Sequence, residues 1–184
     1  AHHRRAVVQG PADASWRASW LYRMAPDVPP DYSQAIEWYH QVAEESGSVN
    51  AQWLLGFMYQ AGRGVRRDCQ QAAHWYRRAA DQGDADAQWR LGRLLEEGDG
   101  VACDYVEAAD WYGRAEEQNH PNALCSLGLL YERGRGVERN LEQAMELYRR
   151  AANLSVIDPA AAKLGREYLE NLLSSQRSAL PEPA

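Results

Sequence analysis

Five aromatic side chains, Trp16, Trp20, Trp53, Phe57 and Trp89, stand at spacings that suit recognition rather than reaction. Trp16 and Trp20 are four residues apart, as are Trp53 and Phe57, which sets each pair on one helix face. Trp16, Trp53 and Trp89 follow one another at intervals of 37 and 36 residues. Rings placed this way give a large contact area at low entropy cost, the chemistry of binding hot spots. The later equivalents of these positions are Trp89 and Arg93, Cys125 and Leu129, then Ala162 and Arg166. Asp13, Asn50, Asp86 and Asn122 share a second register, where they either bond a bound peptide backbone or cap helices. Further along the same face, Gln60, Glu96, Glu97, Glu132 and Glu170 make the C-terminal half acidic. A ligand with an apolar end and a basic end suits both halves. For the rings of this set, binding and core filling are both open, whereas Trp38, Trp75 and Trp111 read as core.

Other chemistry finds little support. The five histidines do not cluster, and neither H-E-x-x-H nor C-x-x-C occurs, so no metal site is indicated. Gly62-x-Gly64 lacks the third glycine of a dinucleotide fingerprint, no G-x-x-x-x-G-K-[ST] is present, and G-x-S-x-G is absent. No cofactor is expected. A hydrolase built on Glu96, Glu97 or Glu132 requires two converging carboxylates, and these acids read more simply as a solvated face. Twenty basic against twenty-six acidic side chains leave a net charge of −6, which argues against nucleic acid as partner. Cys69, Cys103 and Cys125 give no disulfide framework; one Cys69–Cys103 bridge is an alternative to three free thiols. No apolar run is long enough to cross a membrane. The lead AHHRRAVVQG has no signal-peptide core and reads as a tag remnant, so the compartment stays open: free thiols favour the cytoplasm, a trimmed signal the periplasm or secretion.

The elements that must position these residues come from one unit copied in tandem. AQWLLGFMYQAGRGVRRDCQQAAHWYRRAADQG at 51–83 is answered by AQWRLGRLLEEGDGVACDYVEAADWYGRAEEQN at 87–119 and by a third version from Ala123. A degenerate first copy begins near Ala14, with Trp16, Tyr22, Val28, Ala35 and Trp38 in register and its glycines lost. Each unit holds two helical patterns. Helix A reads Ala-x-x-x-Leu-Gly, with Gly56, Gly92 and Gly128 allowing a neighbour close. A Gly-x-Gly-Val linker follows, its first glycine suited to a helix C-terminus and its Val to plugging the core. Helix B opens on a capping box, Asp31 with Gln34, Asp68 with Gln71, Asp104 with Glu107 and Asn140 with Gln143, and continues Ala-x-x-Trp-Tyr-x-x-Ala-Ala.

These patterns predict an all-α chain of nine antiparallel helices, each packed on its neighbours as an α-solenoid. Residues 1–11 form a flexible lead-in. The repeats occupy about 13–48, 49–84, 85–120 and 121–157, a polar capping helix spans 158–174, and 175–184 is a disordered tail. The motif Ala-x-x-x-Leu-Gly, Gly-x-Gly-Val, Asp-x-x-x-Ala-x-x-Trp-Tyr-x-x-Ala-Ala resembles the Sel-one-like repeat (SLR), a relative of the tetratricopeptide repeat, over residues 13–173. That resemblance implies a right-handed superhelix that scaffolds complexes or binds peptides without a cofactor. In tetratricopeptide-like solenoids, the helix A positions named above line the concave surface.

The expected function is therefore a non-enzymatic protein–protein interaction module. Its groove takes a partner protein or peptide through Trp16, Trp20, Asn50, Trp53, Phe57, Gln60, Asp86, Trp89, Arg93, Glu96, Asn122 and Leu129. An immunity-type inhibitor that occludes an enzyme would use the same surface, and a solenoid end offers a route to a homodimer.

Overall fold

A computed structural model describes residues 32–154 and 158–178. Trp16, Trp20, Asp13 and the Asp31–Gln34 cap lie outside the residues whose side chains it describes. Eight α-helices are found among the described residues: α1 Tyr32–Ser46, α2 Val49–Ala61, α3 Cys69–Asp81, α4 Ala85–Glu97, α5 Tyr105–Glu117, α6 Pro121–Arg133, α7 Leu141–Asn153 and α8 Pro159–Ser178. The chain is all-α, with consecutive helices packed pairwise in the manner of a solenoid. It divides into two compact units between Cys103 and Asp104. In the first, α2 packs on α1 and α3, and α3 on α4; in the second, α6 packs on α5 and α7, with α8 against α7 and α6.

Helix A of each of the three described repeats starts one residue before the Asn50, Asp86, Asn122 register, and its N-cap lies two residues before it. The N-caps are Ser48, Asp84 and His120, which accept from the N–H groups of Ala51, Ala87 and Ala123. Asn50, Asp86 and Asn122 therefore sit inside the first helical turn, and the capping role open to them from sequence falls to their neighbours. The helices end on Gly62, Gly98 and Gly134 at φ of 67°, 68° and 64°, the left-handed conformation anticipated for the linker's first glycine.

The caps of helix B differ from the expected box in one half. Asp68 and Asp104 each accept from two backbone N–H groups, and Asn140 accepts from that of Gln143. The return bond is replaced: the Asp68 N–H donates to Tyr59 O at 2.9 Å and the Asn140 N–H to Tyr131 O at 2.9 Å. The cap residue thus ties the linker back to the last turn of helix A. At the third cap, Glu107 accepts from Trp111 Nε1 at 3.1 Å.

Glycine marks where backbones and rings meet. A Cβ at Gly56 would lie 2.6 Å from the Tyr76 ring, and one at Gly128 2.5 Å from the Tyr148 ring. The close neighbour is thus helix B of the same repeat, through its tyrosine. The second linker glycine has its own reason: a Cβ on Gly100 would strike Cys69 at 2.5 Å, and one on Gly136 would strike the Tyr105 carbonyl. These two loops rest on the first turn of the preceding helix B.

Ala51, Leu55, Ala72, Trp75, Tyr76, Ala79, Leu91 and Leu94 are buried in the first unit. Gln52 and Gln88, apolar by neither composition nor pattern, join them; Gln52 Oε1 accepts from Gln82 Nε2 at 2.7 Å, and Gln88 Nε2 donates to Ala80 O at 3.1 Å. In the second unit Ala144, Tyr148 and Leu172 form a cluster joined by Leu129, Tyr168 and Leu169. Packing of Leu169 and Leu172 accompanies the run of α8 to Ser178, past residue 174.

Candidate functional site

The first unit brings six of the recognition residues together on α2 and α4, around one that the sequence pattern does not single out. Trp53 is fully buried, and its Nε1 donates to Asp86 Oδ2 at 2.6 Å. Arg90 Nε donates to the same oxygen at 2.6 Å. The Arg90 guanidinium carbon lies 5.1 Å from the Trp53 ring centroid, 5.8 Å from that of Phe57, 5.9 Å from that of Tyr76 and 5.5 Å from that of Trp89. Four rings and one carboxylate thus surround one cation. Burial opposes its charge, and the interactions with Tyr76 and Asp86 outweigh that, holding its pKa above the ordinary value.

The sequence builds this locally from i,i+4 pairs. Asp86–Arg90, Trp89–Arg93 and Arg93–Glu97 each lie one turn apart on α4, as do Trp53 and Phe57 on α2. Phe57 stacks on Trp53 at 5.7 Å with planes 4° apart, and Arg63 covers Phe57 at 5.7 Å. Arg93 covers Trp89 at 5.3 Å and donates to Glu97 Oε1 from Nη2 at 2.6 Å and from Nε at 3.2 Å. Tyr76 Oη donates to Gln60 Oε1 at 3.0 Å, and burial raises the Tyr76 pKa. The outcome is an alternating stack of rings and guanidiniums with Phe57, Gln60, Trp89 and Arg93 half-buried at its surface.

Several expectations change. Trp53 is not a groove-lining ring: it is sealed beneath Phe57 and Arg90, with its one polar atom consumed by Asp86. Asp86, 7% exposed, is an internal anchor rather than a ligand for a peptide backbone. Leu129, half-buried, packs against the Tyr148–Leu172 cluster of the second unit, and its companion Cys125 is buried. Asn50 and Glu96 are half-buried in the first unit, and Asn122 in the second. Arg90 has a sequence trace only in hindsight, as a cation four residues after an acid.

The remaining polar groups are engaged structurally. Glu132 accepts from Tyr148 Oη at 2.8 Å, repeating the Gln60–Tyr76 pair. Arg78 bonds Glu44 with both terminal nitrogens, and Arg150 bridges Glu116 and Asn119. Cys69, Cys103 and Cys125 are free thiols; Cys69 Sγ donates to Asp99 Oδ2 at 3.3 Å and Cys103 Sγ to Glu96 O at 3.4 Å. Among the described residues no group of three or more His, Cys, Asp or Glu is placed to hold a metal, and no helix is long and apolar enough to cross a membrane.

Comparison with known proteins identifies the repeat and the fold. The Sel1 repeat pattern matches residues 12–46, 49–84, 85–120 and 121–156. The c5321 protein of uropathogenic Escherichia coli, described as a protective antigen displaying an SLR fold, is 38% identical over 92% of this chain and 35% of its own, with a TM-score of 0.74. A Sel1 repeat protein from Oxalobacter formigenes is 34% identical over 84% of this chain and 59% of its own, with a TM-score of 0.66. Cysteine rich protein B of Helicobacter pylori, 23% identical with a TM-score of 0.54, shares the fold. The chain spans about a third of the first structure and less than two thirds of the second. No curated protein sequence matches it.

Proposed function

The chain belongs to the Sel1 repeat family, and from that premise we propose that it is a non-enzymatic interaction module which holds a partner segment against the α2–α4 face. The observation that supports this reading is the ring-and-guanidinium stack. Phe57 and Trp89 are held from beneath by Trp53 and Arg90, yet both keep part of their surface in solvent. Rigid, partly exposed aromatics beside arginine are the side chains that dominate binding hot spots, and their entropy cost is already met by the fold. Buried Trp53 contributes by positioning Phe57, not by touching the partner.

The test is retention of partners from a cell extract by the wild type and by a Phe57→Ala/Trp89→Ala variant. The variant keeps the helical circular-dichroism signal and loses the retained protein. Equal retention rules out this face. Trp53→Ala is a poor probe, because it opens a cavity in the core and confuses folding with binding.

A further inference from the structure

The hydrogen-bond inventory of the α2–α4 face is unbalanced, and the imbalance specifies a partner. Among the acceptors, Asp86 Oδ2 receives both Trp53 and Arg90, Gln60 Oε1 receives Tyr76, and Glu97 Oε1 receives two N–H groups of Arg93. The donors are in surplus. A guanidinium carries five N–H groups, of which Arg93 directs two at Glu97 while 42% of its side chain remains exposed. The side-chain amide of Gln60, whose oxygen is taken, presents two more. The Trp89 ring centroid lies 5.5 Å from the Arg90 and 5.3 Å from the Arg93 guanidinium carbon, so the half-buried ring adjoins two cations. Lysine or arginine on a partner would be repelled by the cations beside the rings and would compete with Arg93 for Glu97. A carboxylate would meet unfilled donors beside an apolar ring, the arrangement that favours charge-assisted bonds.

Resting on the interaction reading above, we infer that the partner segment is acidic: an extended peptide that sets a carboxylate on Arg93 and lays its apolar side chains on Phe57 and Trp89. Glu97 occupies the place that the partner's carboxylate takes. It holds Arg93 over Trp89 in the free protein and is displaced on binding. This differs from the basic ligand end suggested by the run of glutamates, of which Glu97 is paired here with Arg93 of its own helix.

The experiment is a random-peptide phage selection on the immobilised wild-type chain, with counter-selection on Phe57→Ala/Trp89→Ala. Enriched peptides are expected to pair Asp or Glu with apolar residues. A selected peptide loses about tenfold in affinity for Arg93→Gln or when its own Glu becomes Gln, the loss of one charge-assisted bond. Glu97→Gln, which removes the internal competitor, tightens binding, an effect that a merely structural Glu97 would not produce. Enrichment of neutral or basic peptides, or weaker binding to Glu97→Gln, overturns the acidic assignment while leaving the interaction face intact. No enrichment that depends on Phe57 and Trp89 overturns the interaction reading, and the acidic assignment with it.

Discussion

The indole of Trp53 and the carboxylate of Asp86 are joined by a 2.6 Å hydrogen bond although 33 residues separate them. This bond fastens helix A of one repeat to helix A of the next, and Arg90 completes it from the following turn. The partly exposed rings of Phe57 and Trp89 are positioned through it, so the stability of the unit and the readiness of its surface share one anchor.

Asp86→Ala leaves the Arg90 cation without its carboxylate and the Trp53 N–H without its acceptor. The expected loss is about 3 kcal/mol, the range for breaking a largely buried pair by removing one partner. Urea unfolding reads it as a lower midpoint. Replacing both charges together, as Asp86→Asn with Arg90→Met, recovers much of the loss, because no buried charge is then left uncompensated.

Two glycines on helices respond in opposite directions. Gly56→Ala places a methyl 2.6 Å from the fully buried Tyr76 ring and costs about 1–3 kcal/mol through overpacking. Gly113, in the middle of α5, has nothing within 4 Å of the same position, and Gly113→Ala stabilises by about 0.5–1 kcal/mol through helix propensity. Thermal unfolding of the two variants distinguishes close approach from mere recurrence.

Acid loosens the packing of α1 on α2 and α3. His40 Nε2 and Tyr59 Oη are 3.0 Å apart, and the imidazole meets Trp75 edge-on at 5.0 Å. Burial lowers the His40 pKa below its ordinary 6.5, and the charge of Glu44 opposes this only in part. A depressed histidine pKa means that the folded state prefers the neutral ring. Its stability is fully present above 6.5 and is lost as pH falls from 6.5 through the folded value. Glu44, whose pKa is lowered by its hydrogen bond to Arg78, adds a second loss at lower pH, below the ordinary carboxylate value. The hydrogen-exchange protection of α1, corrected for the intrinsic pH dependence of amide exchange, should fall between pH 7 and 5 in the wild type and change less in His40→Gln; an equal response in both contradicts the assignment.

Thiol labelling orders the three cysteines. Burial and the bond to Asp99 push Cys69 up to about 11, and burial pushes Cys125 up to about 12, while Cys103 is exposed. An alkylating reagent near pH 8 modifies Cys103 first, and the other two react only on unfolding. Rapid loss of two thiols would show that Cys69 is accessible.

The sequence made the repeat legible because stacking reuses the same residues. Gly56 and Gly128, the first linker glycines, the helix-B caps and the Trp75–Tyr76 positions all answer to contacts within a repeat or with its neighbour. What it hid were choices between two equivalent polar neighbours. Ser48 and Asn50, Asp84 and Asp86, His120 and Asn122 are two apart, and only the helix start decides which one caps. Trp53 and Phe57 likewise share a face by spacing, and which of them faces solvent depends on Arg90, an interaction between helices that periodicity does not encode. Leu129 has the register of a groove residue, yet it packs against the cluster to which α8 contributes Leu172.

The central claim, that the α2–α4 face holds a partner segment, is tested most directly by titrating a peptide selected on the wild-type chain without counter-selection into the wild type and into Phe57→Ala/Trp89→Ala by calorimetry. Loss of two hot-spot rings predicts at least about thirtyfold weaker binding, with the circular-dichroism spectrum unchanged. Equal affinity of the two proteins would contradict it.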